Sequence, residues 1–246
     1  NFFALHMIAL GFICLGLACS PPMSETPSFS GEAAAVDLAD RMFEAIGGKD
    51  AWCALRSLYI KAEHTEPDMD QPYQSEIWRG IDTFDLIIEQ QNADFHVKGI
   101  FSDARAEIRY LDERDSSRVL TADQRSAWRF DHEHNVYLLL HDLACNPQLY
   151  NVVREADQYL AFYRDSVFVT GFGLDQQLRP ERFHRPNPDG SISESMFTHW
   201  GSDGGLVHSA GGHPLDSSFF YLTEIWQPSR LTLLEAFGQE VYEWRR

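Results

Sequence analysis

Basic residues are scarce in this chain. Its 20 Lys and Arg stand against 37 Asp and Glu, a formal net charge of −17 at pH 7. A field of that sign repels phosphate backbones and anionic headgroups. It excludes nucleic acid as a partner and electrostatic docking on a membrane surface. Catalytic signatures are missing as well: there is no G-x-S-x-G elbow, no Walker loop, no G-x-G-x-x-G and no H-E-x-x-H. Cysteine is limited to Cys14, Cys19, Cys53 and Cys145, and no two of these form a C-x-x-C pair, so no zinc or dithiol motif is present. No internal repeat is visible, and nothing in the pattern calls for a cofactor.

Charge is also missing from the first segment. No Asp, Glu, Lys or Arg occurs before Glu25, and only His6 interrupts the apolar run from Phe2 to Ala18. The run has the length of a signal h-region with its flank and is short for a stable membrane span. It leads into Leu15-Gly16-Leu17-Ala18-Cys19-Ser20, which resembles a bacterial lipobox with Gly16 in place of the usual Leu. In such a box Cys19 is diacylated and becomes the new N-terminus. Ser20 follows it in place of the Asp that commonly retains lipoproteins in the inner membrane, which favours the outer membrane facing the periplasm. The Pro- and Ser-rich stretch Ser20 to Ser28 reads as a disordered tether. The expected organisation is a signal peptide at 1–18, a lipid-anchored Cys19 with its tether at 19–30, and one domain at 31–246. Ordinary cleaved export and a retained anchor are the alternatives. In an oxidising envelope Cys53 and Cys145 form one disulfide or remain two buried thiols; the spacing does not choose.

The rest of the chain is ordinary in apolar content, 44%, and rich in aromatics, with 17 Phe, 9 Tyr and 6 Trp. Val36, Ala39, Phe43 and Ile46 recur at helical spacing, widened by Leu38 and Met42. This predicts an amphipathic helix from about Gly31 to Ile46, capped by Ser30 and ended by Gly47-Gly48. A further turn of helix follows at Asp50 to Leu55. From Leu58 the period changes to two. Strands are expected at Leu58 to His64, Gln74 to Arg79, Phe84 to Glu89, around Phe95 to Phe101, at Ile108 and Tyr110, and at Trp128 and Phe130. Leu149 to Ala156 reads as a short helix, and strands return at Tyr159 to Tyr163, Val167 to Phe172, Ser195 to Trp200, Leu206 to Ser209 and Phe219 to Trp226. Tyr137 to Leu140 and Arg230 to Trp244 fit either state. The fold class is mainly β with flanking helices (α+β): a curved antiparallel sheet or incomplete barrel whose N-terminal helix covers the concave face.

The helix ending in Ala45-Ile46-Gly47-Gly48, then Trp52 and Leu55, then Ser57-Leu58 entering a meander, resembles the LolA/LolB-type lipoprotein-carrier superfamily over about residues 33–65. The resemblance implies a curved, incomplete barrel whose concave apolar surface holds acyl chains and which carries no catalytic residues. On that reading Phe84, Leu86, Ile88, Phe95, Val97, Trp128 and Phe130 form the apolar groove. The ligand is a lipid or other elongated apolar molecule, and the protein is not an enzyme. Two rival readings stand beside it. One is a metal-dependent envelope enzyme using His132 and His134, which share a strand face if Asp131 to Asn135 is extended, with His199, His208 and His213 as further donors. The other is a structural lipoprotein whose interior is filled.

Overall fold

The computed structural model describes residues 27–66, 69–203, 205–214, 219–226, 231–234 and 241–244. The expected tether and Cys19 lie outside this range apart from the last few residues before the domain. In chain order the elements are β1 (Ser30–Gly31), α1 (Ala33–Ala45), α2 (Lys49–Ala54), β2 (Ser57–Thr65), β3 (Tyr73–Gly80), β4 (Leu86–Gln91), β5 (His96–Phe101), β6 (Ala106–Tyr110), β7 (Ser116–Val119), α3 (Ala122–Glu133), α4 (Val136–Cys145), β8 (Asn151–Ala156), β9 (Tyr159–Arg164), β10 (Val167–Leu174), β11 (Pro180–Pro186), β12 (Ile192–Asp203), β13 (Leu206–Pro214), β14 (Phe219–Trp226), β15 (Leu231–Leu234) and β16 (Val241–Trp244).

Two antiparallel meanders, β2 to β7 and β8 to β14, make one sheet in the order β1-β8-β9-β10-β11-β12-β13-β14-β2-β3-β4-β5-β6-β7. β14 pairs with β2, with Tyr221 opposite Glu63 and Ile225 opposite Ile60. β1 adds the parallel edge, and β15 pairs with β16 separately. The sheet is curved and does not close. Its main core unites Leu58 and Ile60 of β2 with Val152 of β8, Phe162 of β9, Phe172 of β10, Phe183 of β11 and Phe197 of β12. Strands spaced about 4.8 Å apart meet in one core over this range only if the sheet bends round the helices between them.

Those helices are α1, α2 and α4. α1 buries Ala35, Leu38, Ala39, Met42 and Phe43, the stripe expected from its periodicity. Each large member contributes roughly 1.5–3 kcal/mol of gross burial. Gly47 (φ 106°) and Gly48 (φ 89°) end α1 in the left-handed region, where a side chain is strained. Ser30 is not the cap. It lies in β1 opposite Asn151, its Oγ donates to the Tyr150 carbonyl at 3.0 Å, and Glu32 takes the N-cap position. Parallel pairing keeps Ser30 extended before the helix begins.

Between the meanders, three sequence-based assignments are corrected. Trp128 and Phe130 lie in α3. Thr121 and Gln124 form a reciprocal capping box that starts this helix and outweighs the short apolar alternation. Asp131 to Asn135 is not extended: it is the end of α3 and the cap of α4, where Asn135 Oδ1 accepts from the Tyr137 N–H at 3.1 Å. Residues 151–156, read as helix, form β8, because Val152 and Arg154 pair with Phe162 and Leu160 of β9. β7 and β11 are strands that the sequence pattern does not announce. In β7 the reason is exposure. Its four residues are all exposed, so an edge strand there shows no apolar alternation.

Two ties hold the helices to the sheet and to each other. Cys53 of α2 and Cys145 of α4 form a disulfide with a Cα–Cα distance of 4.9 Å. Beside it, His141 Nδ1 lies 2.9 Å from the Trp52 carbonyl. The second tie is His132 at the end of α3. Its Nδ1 accepts from Arg79 Nη1 at 2.9 Å, so Nε2 carries the proton and donates to the Thr83 carbonyl at 3.1 Å. Burial first, and then the neighbouring Arg79 charge, pushes the His132 pKa down to about 3.

Each tie has a measurable signature. The disulfide closes a sequence separation of 92 residues. Reduction is expected to cost about 2–5 kcal/mol and to lower the thermal midpoint by roughly 5–15 °C. The midpoint of a Cys53→Ser/Cys145→Ser protein, followed by circular dichroism, should not respond to dithiothreitol. His132 is neutral in the fold but takes up a proton in the unfolded chain below about pH 6.5, so its contribution to stability is present at neutral pH and is lost as pH falls from about 6.5 towards 3. Urea unfolding at pH 7 and pH 5 should show His132→Gln less stable than the parent at pH 7. Its pH slope should be shallower by up to about 1.4 kcal/mol per pH unit.

Candidate functional site

The concave face is partly filled and partly hollow. Under α1, α2 and α4 the packing is close: Trp52 stacks on Tyr137 with ring centroids 6.4 Å apart, and Phe172, Phe183 and Phe197 stack in succession at 5.8 and 6.2 Å. A gap of about 380 Å³ remains where β2 and β3 face β11, β12 and β13 across the start of α4. That volume falls in the range of small-molecule sites. A larger depression, about 740 Å³, lies on the β8–β11 hairpins, at the outer edge of the second meander, where Arg154, Asp157, Glu181 and Arg182 surround Tyr159 and Leu174.

The cavity wall follows from register. Ile60 pairs with Ile77, so both project from the same face of the sheet, and Ala62 and Arg79 follow on that face. The opposing wall is Phe183 of β11 with Ser195 and Phe197 of β12. The first turn of α4 closes one side with Asn135, Val136 and Tyr137. Tyr137 is fixed by its hydroxyl, which donates to the Ser209 carbonyl at 3.3 Å.

Polar groups punctuate this wall. His64 Nε2 lies 2.7 Å from Ser75 Oγ, and its ring stacks on Tyr73 at 4.7 Å. Burial lowers the His64 pKa to about 4, so the ring is neutral at physiological pH. Arg185 Nη1 donates to Asp131 Oδ1 at 3.0 Å. Arg79 is 7% exposed. Burial lowers its pKa to about 10, which leaves it charged at neutral pH. Among the described residues no carboxylate comes within ion-pair distance of Arg79, and its Nε has no hydrogen-bond partner.

The residues singled out from sequence for a groove lie beside this cavity, not on its wall. Phe84 and Leu86 are buried with Phe101 and Ala106 in a satellite cluster, against which Ile88 and Trp128 pack. Trp128 reaches it from α3, 4.3 Å from the Phe101 ring. Phe95 and Val97 are half-buried on the same sheet face, Phe95 with its ring 5.8 Å from Tyr73. Phe130 stacks on His134 at 3.9 Å. The cavity thus lies on β2, β3 and β11 to β13, while the residues expected to form a groove lie on β4, β5 and α3 or next to them. The alternation that exposed Ile60 and Ile77 could have found half of the wall. Phe183 and Arg79 carried no signal, because β11 shows little periodicity and Arg79 reads as a solvent-facing charge.

The two candidate metal ligands are separated by their helix. His132 faces Arg79 and Thr83, while His134 Nδ1 bonds the Phe130 carbonyl at 2.9 Å. No group of three or more His, Cys, Asp or Glu side chains that could hold a metal ion occurs among the described residues. The side chain of His213 lies outside them.

No family model and no curated protein matches the chain. Solved structures similar to it include a DUF1329 family protein from Desulfovibrio piger ATCC 29098, at 12% identity and a TM-score of 0.45, covering 84% of this chain and 96% of that one. A second is an outer membrane lipoprotein-sorting protein domain from Vibrio parahaemolyticus, at 10% identity and 0.45, covering 84% and 97%. MucB gives 16% identity and 0.26, covering 79% and 58%.

Proposed function

We propose that this is an exported cell-envelope protein that binds an acyl chain or another elongated apolar molecule in the hollow part of its concave face. The observation that carries the reading is the cavity of about 380 Å³ walled by Ile60, Ala62, Ile77, Val136, Phe183 and Phe197. Apolar surface left facing a gap inside a folded domain gains about 0.8 kcal/mol for each methylene it takes from water. Binding of this kind is passive and needs no reacting group. α4 forms part of the wall with its first turn, so a shift of that turn would change the width of the space. The lipobox-like segment and tether support placement at the outer membrane, facing the periplasm, through acylation of Cys19, with 31–246 as the one folded unit.

Ser195 is half-buried on the cavity wall. Ser195→Trp is therefore expected to fill the space while leaving the core intact. Native mass spectrometry of protein extracted gently from membranes should show lipid adducts on the parent and not on this variant. The neutral probe N-phenyl-1-naphthylamine should bind the delipidated parent at least ten-fold more tightly than the variant. Absence of adducts and of probe binding in the parent would leave a filled structural module. The anchor is tested independently. Expressed from its export precursor, the protein should partition with membranes and take up labelled palmitate, and Cys19→Ala should appear in the soluble fraction without label.

A further inference from the structure

The cavity sets apolar side chains beside polar ones, and the Arg79 cation on its wall has no carboxylate within ion-pair distance among the described residues, since Asp131, whose charge reaches it, is bonded to Arg185. Resting on the reading that the cavity takes an elongated apolar guest, we propose that Arg79 is a head-group subsite and that the guest is an amphiphile ending in a carboxylate, such as a free fatty acid.

Charge supports this first. Arg79 and Arg185 both line the cavity against a single carboxylate, Asp131, and Asp131 is bonded to Arg185 at 3.0 Å. The wall is thus net positive in a chain whose formal charge is −17. A guanidinium shut away from water without a counter-ion is costly, and a bound anion offsets that cost.

Geometry supports it next. His132 occupies Arg79 Nη1, which leaves the Nε–Nη2 edge of the guanidinium. The two N–H donors of that edge are parallel, the fork that matches the two oxygens of a carboxylate, and an anion that meets Nη2 engages Nε as well once the side chains that shut Nε from water shift. Nε is buried and has no partner among the described residues. The His132 bond also fixes the plane of the fork, so little freedom is lost when an anion docks.

The neighbouring helix adds to both. α4 runs ten residues from Val136 to Cys145, and Asn135, Val136 and Tyr137 at its start line the same cavity. The positive end of its dipole therefore lies at the wall that holds Arg79. Beyond the head, Ile60, Ile77, Phe183 and Phe197 line the remainder of the space.

The test is displacement of N-phenyl-1-naphthylamine from the delipidated protein at pH 8 by dodecanoate, dodecanol and dodecyl phosphate. Dodecanoate should bind at least ten-fold more tightly than dodecanol. Arg79→Met should bring dodecanoate down to the level of dodecanol while leaving probe and alcohol affinity in place, and Arg79→Lys should keep part of the preference. Equal affinity of the parent for acid and alcohol overturns the subsite while leaving the apolar cavity standing, and so does a preference that survives in Arg79→Met. Tighter binding of dodecyl phosphate than of dodecanoate overturns the choice of carboxylate. Should Arg79→Met fail to fold, the acid-to-alcohol ratio of the parent together with Arg79→Lys decides. Failure of the probe and all three ligands to bind the parent overturns both this inference and the cavity reading beneath it.

Discussion

The pairing of β14 with β2 is the constraint on which the rest of the architecture depends. It joins strands more than 150 positions apart in the chain and turns two separate meanders into one continuous sheet. Without it each meander would present an apolar face to water. With it the sheet bends far enough that residues from β2 and β8 share one core around α1, α2 and α4. Contacts at that separation carry the largest loop-closure cost of any strand pairing in the sheet.

The helices inside the curve do not act alike. α1 and α4 fill space, and their buried stripes share one core with the aromatic run from Phe162 to Phe197. α3 instead serves the outer half of the first meander. Trp128 caps the Phe84, Leu86 and Phe101 cluster, and His132 ties the helix to Arg79 and Thr83. The hollow lies between these two packed regions, beside the junction of α3 and α4. Its location is thus a consequence of where α3 stops and α4 starts, at His134 and Asn135.

Much of this was legible from the chain. The 3.6-residue stripe of Leu38, Met42 and Phe43 and the two glycines after it announce α1 and its end. The alternation in Leu58 to His64 and in Phe84 to Glu89 announces the sheet and its inward face. Less was legible where local and tertiary preferences compete. Trp128 and Phe130 alternate like a strand, but the capping box from Thr121 to Gln124 outweighs two aromatic side chains. Val152 and Val153 follow a Pro-containing turn and become a strand only because β9 lies alongside. The cavity could be anticipated in kind and not in place, because emptiness is a property of what fails to meet, and no single residue encodes it. Arg79 illustrates the limit: its environment depends on His132, which is 53 positions away.

The disulfide has a mechanical consequence for α4. That helix touches the hollow with its first turn, while its last residue, Cys145, is bonded to α2. One end is clamped and the other is held by weaker forces, such as the Tyr137 hydroxyl on the Ser209 carbonyl. Any opening of the helix is therefore a swing about a fixed pivot, not a detachment. A lever of ten residues is about 15 Å long, so a rotation of a few degrees at Cys145 moves the gate end by an ångström or more.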